Sequence, residues 1–489
     1  MQPSSPIAKA GLQVSLGQAA TQASSFVRNI VLARLISPAD FGIAAILGVT
    51  LQMVEMFSNV AGDMLLIQAK DGDWEQLQGT AQLLRAGRGL INGLLILAFA
   101  WPAARLFGVP HAAWAFRCLG LLPLIRGLFH LDMSRLQRHF RFGPAVLVDA
   151  GANWCATLVA IPIALWLRSY AAMLCALLIQ AAVATALSHI LAERRYRWAW
   201  DRECWMRIAS FGWPLMINGI LMFGIFEGDR LIIGSAGRLF PANSYTLADL
   251  GAYSVAFALT MAPTMFVANV GSSLFLPFLS AMQDDGTMFR QRYGACCQAV
   301  CLAGAITSIV FITLGGSALT MIYGSKYSAG GTVIGWLGAM WAVRIIRVAP
   351  TLAAMALGDS KNAMVSNAAR TISLVGMLIA AAMGGGLAWI AIAGLCGEIL
   401  ALLSSLWRLS ARDSISPTDC VAPLGIAMLG AAISAFAARQ LGGGLATSAV
   451  SCAASAAFVI VCMYLALESF RAQVSSVFFR KQTYAALQT

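Results

Sequence analysis

Polar side chains recur every three or four residues along an apolar segment near the start of the chain. The six residues are Gln18, Thr21, Gln22, Ser25, Arg28 and Asn29. Because residues three and four apart share one face of an α-helix, they form a single polar stripe. Amides, hydroxyls and a guanidinium in this pattern are typical of a cavity wall that binds a polar ligand.

Nine arginines and no lysine lie inside the apolar segments. They are Arg28, Arg85, Arg88, Arg117, Arg126, Arg230, Arg344, Arg347 and Arg370. A charge at the centre of a membrane helix costs roughly 2.5 to 3.5 kcal/mol on insertion scales, so a persisting charge faces a cavity or a partner. Arginine keeps its proton and its planar fork fits phosphate oxygens, whereas a desolvated lysine loses its proton more readily. The set therefore favours an anionic ligand.

The depth of each arginine in its segment separates two interpretations. Arg28 and Arg344 lie deep, which favours a cavity, and Arg347 follows Arg344 by one helical turn. A second polar stripe carries Gln52, Glu55 and Asn59. Four arginines lie near predicted helix ends: Arg85, Arg88, Arg126 and Arg370. For each of them, a side chain that extends to the lipid headgroups is an equal alternative to one that lines a cavity.

The composition determines what kind of element positions these residues. Of 489 residues, 59% are hydrophobic and only 11% are charged, against about 25% charged in an ordinary soluble domain. A bundle of membrane-spanning helices can leave that apolar surface facing lipid, whereas a soluble fold cannot bury it all. The predicted fold class is an all-α polytopic membrane protein.

About fourteen segments reach the roughly 20 apolar residues that a spanning helix needs. We predict an N-terminal lobe of six helices over 1–192, a second six-helix lobe over 193–410, and two extra helices with a tail over 411–489. The segments lie near 11–36, 38–61, 79–106, 111–130, 144–167, 169–191, 207–235, 248–279, 293–317, 329–356, 362–383, 387–407, 420–438 and 445–467.

Basic residues predict the orientation of the chain. Outside the segments, lysine and arginine favour one set of loops over the other by three to one, which predicts a cytoplasmic N-terminus. An even number of spans places both termini on that side, and the first nine residues lack a signal peptide's apolar core. The stretch RRYRWAWDRECW, Arg194 to Trp205, adds tryptophans at the membrane interface. This bias explains the net charge of +12 without nucleic-acid binding.

A short internal repeat relates the two predicted lobes. VRNIVLARLISPADFGIAA, Val27 to Ala45, resembles DRLIIGSAGRLFPANSYTLADLGAYSVA, Asp229 to Ala256. In this alignment Arg28 corresponds to Arg230, and Gly42 corresponds to Gly251. Repeats of this kind place a substrate site at the interface of two lobes in many transporters.

Catalytic and cofactor motifs are missing from the sequence. There is no GxxxxGK[ST] loop, no HExxH and no GxSxG, and the four histidines are isolated. The eleven cysteines include no CxxC pair; a metal site at Cys296, Cys297 and Cys301 is a weaker alternative to apolar packing, because no histidine or carboxylate lies at ligand spacing. We expect no enzyme activity, no cofactor and no metal.

Two stretches carry a resemblance to a known family. VRNIVLARLISPADFGIAAI and SFGWPLMINGILMFGIFEGDRLIIG, Ser210 to Gly234, resemble the bacterial polysaccharide flippases of the multidrug/oligosaccharidyl-lipid/polysaccharide exporter superfamily. The resemblance implies that the protein flips undecaprenyl-diphosphate-linked oligosaccharide repeat units from the cytoplasmic to the periplasmic leaflet of the inner membrane. The products would be exopolysaccharide, O-antigen or capsule, and a polymerase and a chain-length regulator would be partners.

The residues and the resemblance agree on the chemistry of the site. Fixed cations would hold the diphosphate and hydrogen-bonding side chains would hold the sugars, while the lipid tail stays among membrane lipids. The predicted substrate-binding residues are Arg28, Asn29, Gln18, Gln22, Arg344, Arg347, Arg117 and Arg230.

Four carboxylates lie within the predicted spans: Glu55, Glu227, Asp229 and Glu398. Without an ATP site, transport must be driven by an ion gradient or by consumption of the substrate on the far side. For an ion gradient, a carboxylate that alternately binds and releases H+ or Na+ is the usual device. We predict this role for Asp229 or Glu55, with Glu227 as a further candidate; Asp229 is favoured over Glu227, which lies three residues from Arg230 and can neutralise it. An equal alternative is that both carboxylates are permanent partners of arginines.

Three other functions compete with flipping. A multidrug or cation antiporter of the same superfamily would need a cavity dominated by carboxylates and aromatics, against nine arginines here. A membrane polysaccharide polymerase or ligase would carry catalytic groups on a large external loop, and the longest outer loop, 236–247, is short. A membrane scaffold gives no reason for polar stripes.

Overall fold

The computed structural model of the protein describes almost all of the chain. The described residues form helices and connecting turns with no strand, which confirms the predicted all-α fold class. Side chains are described from residue 13 onward, except at 272–273. The described residues are 6–59, 62–240, 242, 245–413, 415–416, 418–440, 444–468 and 470–471.

The chain divides into two compact units, with the boundary in the sequence between Ser254 and Val255. The predicted division into lobes at 192 and 410 stays a prediction. The first unit contains α1 (Pro6–Leu35), α2 (Pro38–Phe57), α3 (Gly62–Gln68), α4 (Glu75–Leu106), a 3-10 turn (Pro110–Ala112), α5 (Ala113–Leu119), α6 (Leu121–Gly127), α7 (Asp132–Arg138), α8 (Gly143–Leu167), α9 (Ala171–Ile190), α10 (Arg202–Leu239) and the start of α11 (Leu247–Ser280).

The second unit continues from within α11. It contains α12 (Gly286–Thr313), α13 (Gly315–Tyr323), a 3-10 turn (Ser325–Gly330), α14 (Gly331–Ala356), α15 (Lys361–Thr371), α16 (Ser373–Ala382), α17 (Leu387–Asp413), α18 (Thr418–Gln440) and α19 (Leu445–Ala466).

Twelve helices of the described chain are long and apolar enough to cross a membrane. The count rises to 13 if the bent pair Pro110–Gly127 and Asp132–Arg138, which meet at 50°, forms one span. About fourteen were predicted, and the helix missing from the count is α1. It is 30 residues long, but its polar stripe lowers its hydrophobicity. The chain is a multi-pass membrane protein.

The two repeat motifs begin helices in the same way. Ser37 accepts a hydrogen bond from the backbone N–H of Asp40 at 3.0 Å, and Pro38 occupies the first turn of α2. Before α11, Thr246 accepts from the N–H of Asp249 at 3.1 Å, and Asp249 accepts from the N–H of Thr246 at 2.9 Å. Both are capping interactions that satisfy N–H groups at a helix start.

The paired glycines of the repeat lie at a close crossing of α2 and α11. A Cβ added at Gly42 would overlap the carbonyl oxygen of Leu247, and one added at Gly251 would overlap that of Pro38. Each overlapped residue lies four positions before the other glycine, so the two contacts are related by an approximate two-fold axis. Only a residue without a side chain fits either position.

Gly42→Ala and Gly251→Ala are each expected to lower stability by roughly 1 to 3 kcal/mol, because the backbone must shift to admit the methyl group. Thermal unfolding in detergent measures the change. Gly48→Ala on α2 is the matched control, since nothing lies within 4 Å of its added Cβ and alanine favours a helix over glycine. Equal stability of all three variants would contradict the crossing.

Cysteines contribute to the core of the second unit. Cys296 and Cys301 are buried on α12, which confirms apolar packing as their role. Cys297 is disulfide-bonded to Cys420, with Cα atoms 5.6 Å apart, and so joins α12 to α18. The sequence analysis missed this bond. It occupies the sulfur of Cys297, which removes that residue from the alternative metal site.

Candidate anion-binding sites

The second unit surrounds one buried glutamate with three arginines. Glu398 on α17 is fully buried. Its carboxylate lies 2.8 Å from Nε of Arg370, 3.2 Å from Nη1 of Arg344 and 3.5 Å from Nε of Arg347. We call these four residues the arginine cluster. Three guanidiniums against one carboxylate leave a formal excess of two positive charges.

Helix geometry sets the shape of the arginine cluster. Arg344 and Arg347 project from one face of α14 because they are one turn apart, Arg370 comes from α15, and Glu398 is eleven residues into α17. Each of these positions is near the middle of its membrane-spanning segment. The cluster therefore lies deep in the membrane region, where a net charge needs a counter-ion.

Neutral groups hold the arginines in place. Arg347 donates from Nη1 to the Ser366 hydroxyl at 2.8 Å and to Oδ1 of Asn367 at 3.1 Å. The guanidinium carbons of Arg344 and Arg370 lie 5.8 Å and 5.9 Å from the ring centre of Trp341, within cation–π range. These contacts orient the guanidiniums without cancelling their charge.

Exposure distinguishes the three arginines. The side chain of Arg344 is 19% exposed, against 7% for Arg347 and 4% for Arg370. An arriving anion would meet Arg344 first. The burial of Arg370 also shows that its alternative role, reaching the lipid headgroups, is wrong. Its partner Glu398 is 28 residues away in sequence, and no local pattern signals that pairing.

The first unit buries Arg28 without a carboxylate. Arg28 is 7% exposed, and its Nη1 donates to Oε1 of Gln180 on α9 at 3.3 Å. Within the described part of the chain, its Nε has no hydrogen-bond partner and no acidic side chain lies within ion-pair distance. The guanidinium is thus desolvated but still charged, which favours an external anion as its partner.

Among the other polar side chains of α1, some anchor the helix and some make no hydrogen bond with another described residue. Ser24 and Thr157 share a hydrogen bond of 2.8 Å, and Ser25 donates to Asn153 at 3.2 Å, so both serines fix α1 to α8. The predicted sugar-binding side chains Gln18 and Gln22 are exposed, and Asn29 is half-buried. None of these three makes a side-chain hydrogen bond with another described residue, so all three can bind a ligand.

A second charged group in the first unit lies on α10. Glu227 binds Arg230 at 3.0 Å, which confirms the predicted pairing. Asp229 is 5% exposed; it accepts from the Arg230 N–H at 2.7 Å and from the Tyr253 hydroxyl at 2.7 Å. The sequence analysis missed Tyr253, although it lies within the second repeat motif. Asp229 is held mainly by hydrogen bonds, with the Arg230 Nε 3.9 Å away.

The other predicted carboxylate, Glu55, has a direct arginine partner. Nη1 of Arg126 lies 2.8 Å and 2.7 Å from its two oxygens, which joins α2 to α6. Two more arginines are nearby on α4: Arg85 donates to the Arg126 carbonyl at 3.1 Å and Arg88 donates to Asn59 at 3.0 Å. Arg117 lies apart from these groups, exposed on α5.

Comparison with known proteins adds to this geometry. The family model described as polysaccharide biosynthesis protein matches residues 31–330, which is more than half of the chain. The chain belongs to this family.

One named relative resembles this chain in sequence. The succinoglycan biosynthesis transport protein ExoT of Rhizobium meliloti (strain 1021) is 24% identical over 333 residues, which cover 66% of this chain and 63% of ExoT. The match thus spans less than two thirds of that relative.

The structural similarities extend over more of the chain than the sequence match. The lipid II flippase MurJ, in an inward closed conformation, is 11% identical with a TM-score of 0.70, covering 96% of this chain and 99% of its own. An inward-facing multidrug resistance transporter of the MATE family, in the MOP superfamily, is 16% identical with a TM-score of 0.61, covering 83% of this chain and 99% of its own. At these identities the similarity establishes the fold.

Proposed function

We propose that the protein flips undecaprenyl-diphosphate-linked oligosaccharides across the bacterial inner membrane, from the cytoplasmic to the periplasmic leaflet, for assembly into a surface polysaccharide. Both termini would lie in the cytoplasm. The observation that carries the proposal is the arginine cluster: three guanidiniums share one buried carboxylate in the middle of membrane-spanning helices. Membership of a polysaccharide biosynthesis family and the resemblance to ExoT support it.

A diphosphate fits the chemistry of the arginine cluster. It carries more than one negative charge and several acceptor oxygens, and guanidiniums bind such oxygens through paired, charge-assisted hydrogen bonds. The excess of two positive charges would be neutralised by the headgroup. A cationic drug would meet net repulsion at the same place, which disfavours the antiporter alternative.

The first unit, taken by itself, offers further groups that suit a substrate of this chemistry. Arg28 offers a second buried cation, while Gln18, Gln22 and Asn29 offer amides that suit sugar hydroxyls. We assign Arg117 and Arg230 only a contribution to the electrostatic potential, because Arg117 is exposed and Arg230 is paired with Glu227. Movement of the two six-helix lobes, 1–192 and 193–410, would expose the site to each leaflet in turn, with 411–489 as an accessory segment.

Flipping by the purified protein tests the proposal directly. Proteoliposomes would carry a fluorescent undecaprenyl-diphosphate oligosaccharide, and a membrane-impermeant quencher would report its leaflet. We expect that the protein makes the fluorescent lipid of the inner leaflet accessible to the quencher. The same sugar on a neutral polyprenyl ether should move at least about tenfold more slowly, because more than 1.4 kcal/mol of charge pairing is lost. Equal rates for both lipids, or transport of organic cations alone, would overturn the proposal.

Asp229 is the residue we propose for coupling to H+ or Na+, because its carboxylate is held by a hydroxyl and an N–H and can exchange a cation without breaking a close ion pair. Asp229→Asn should keep substrate binding but lose the response of flipping to an imposed gradient, and Tyr253→Phe should weaken that response. Glu55→Gln tests the other candidate. Glu227→Gln on α10 tests the third candidate, whose carboxylate is paired with Arg230. A normal gradient response in both Asp229→Asn and Glu55→Gln would contradict coupling through either carboxylate.

A further inference from the structure

An unassigned cavity lies in the first unit where the segment between α9 and α10 crosses the start of α4. Its volume is about 260 Å³. Its lining from α4 is Glu75, Gln78, Gly79 and Gln82, and its lining from the connecting segment is Glu193, Arg194, Arg195 and Arg197. This connection is predicted to lie on the cytoplasmic side and joins the two predicted six-helix lobes. We call it the linker cavity.

One wall of the linker cavity contains a buried amide without a partner. Gln82 is 1% exposed, and its Nε2 makes no hydrogen bond within the described residues. A buried donor left in this way costs about 1 to 3 kcal/mol unless something accepts from it. The neighbouring amide of Gln78 is occupied, because its Oε1 accepts from Nη1 of Arg194 at 3.2 Å. Gln82 therefore offers a donor to a ligand.

The arginines on the other wall keep a positive excess. Among the described residues, the Arg194 guanidinium donates to two neutral acceptors, Oε1 of Gln78 at 3.2 Å and the Asp73 carbonyl at 2.7 Å, while its backbone N–H donates to the Asp132 carboxylate at 3.3 Å. Arg195 is exposed and has no hydrogen bond or ion pair with another described residue. Arg197 lies 3.6 Å from Glu75, and both of these side chains are 68% exposed, so solvent weakens that pair.

The second acidic residue in the lining, Glu193, is paired with arginines outside the linker cavity. Glu193 lies 2.8 Å from Nη2 of Arg135 and 2.6 Å from Nη1 of Arg141. Hydrogen bonds from these two arginines hold the pKa of Glu193 below its usual value, so it stays ionised and paired. The negative charge of Glu193 is thus balanced by Arg135 and Arg141 and does not cancel the positive charges of Arg194 and Arg195.

Helix α4 adds a further attraction for anions. It is 32 residues long, and its N-cap residue, Trp74, makes no side-chain capping bond. The unsatisfied N–H groups and the helix dipole place partial positive charge at this end. The helix end acts together with Gln82 and the linker arginines.

We propose that the linker cavity binds a phosphate group, supplied by the headgroup of an anionic phospholipid or by a soluble phosphate. The exposed rings of Trp198, Trp200 and Trp205, on the same connection and the start of α10, place it at the depth of the headgroups, where basic pockets bind anionic lipids. The site does not depend on the proposed transport function. A bound phosphate would tie the connecting segment to α4.

Binding to the purified full-length protein in detergent tests the linker cavity. The probes are phosphatidylglycerol, phosphatidylcholine and glycerol 3-phosphate, read out by native mass spectrometry and by thermal shift. We expect phosphatidylglycerol to bind and to raise the unfolding temperature. Binding of phosphatidylglycerol without glycerol 3-phosphate identifies lipid as the source, and binding of glycerol 3-phosphate alone identifies a soluble phosphate.

Two variants connect that binding to the cavity. Arg195→Ala removes an exposed side chain that has no structural partner, and Gln82→Glu places a carboxylate in the cavity without changing its volume. Each should weaken binding of the phosphate probe by at least about tenfold. Arg202→Ala, an exposed basic residue at the start of α10, is the control and should bind as the parent does. Binding of the phosphate probe unchanged in Arg195→Ala, binding of phosphatidylcholine as tight as that of phosphatidylglycerol, or binding of none of the three probes overturns the proposal.

Discussion

Glu398→Gln is expected to destabilise the second unit by about 3 to 5 kcal/mol, the usual cost of removing one partner from a buried ion pair. Three guanidiniums that each lie within 3.5 Å of the Glu398 carboxylate would then share the middle of the membrane region without its negative charge. The yield of monodisperse protein in detergent and its thermal unfolding measure the loss. Glu468→Gln makes the same chemical change on a side chain that is 93% exposed and should leave both quantities unchanged.

The same variant can reveal the ligand of the arginine cluster. If the headgroup of the substrate binds there, its phosphates can replace the missing carboxylate, so undecaprenyl diphosphate should stabilise Glu398→Gln more than it stabilises the parent. Arg344→Ala gives the complementary result. It removes the most exposed guanidinium and leaves two to balance Glu398, so the protein should fold but lose diphosphate binding. A Glu398→Gln protein as stable as the parent would contradict the cluster.

Local sequence patterns predicted the parts of these sites that lie on one helix. The period of the stripe on α1, the single turn between Arg344 and Arg347, and the pairing of Glu227 with Arg230 all follow from helical spacing. Runs of about 20 apolar residues likewise predicted the membrane-spanning helices. In each case the residues that determine the feature are close in the chain.

The contacts between helices could not be predicted in this way. Arg370 meets Glu398, and Arg126 meets Glu55 from 71 residues away, only because of how their helices pack. Cys297 and Cys420 are separated by 123 residues. The local sequence around a buried arginine is the same whether or not a carboxylate packs against it. Only the packed structure shows that Arg370 has a carboxylate partner and that Arg28 has none among the described residues.

Arg28→Ala is expected to reduce flipping by about one to two orders of magnitude, which corresponds to the 1.5 to 3 kcal/mol typical of a hydrogen bond to a charged group. Arg28→Lys should restore part of the rate, because an ammonium keeps the charge but lacks the planar fork. Arg105→Ala on α4 is the control: it also removes one guanidinium, but an exposed one that lies over the Trp101 ring.

The stability of Arg28→Ala distinguishes a binding role from a structural one. Arg28 has only Gln180 as a hydrogen-bond partner in the described chain and no carboxylate to balance its charge. Its burial therefore costs free energy in the empty protein, and removing it should leave the unfolding temperature unchanged or raise it while transport falls. An arginine that served the fold would show the opposite, a lower unfolding temperature. Full transport by Arg28→Gln would show that the position needs hydrogen bonding and not charge, and would contradict anion binding by Arg28.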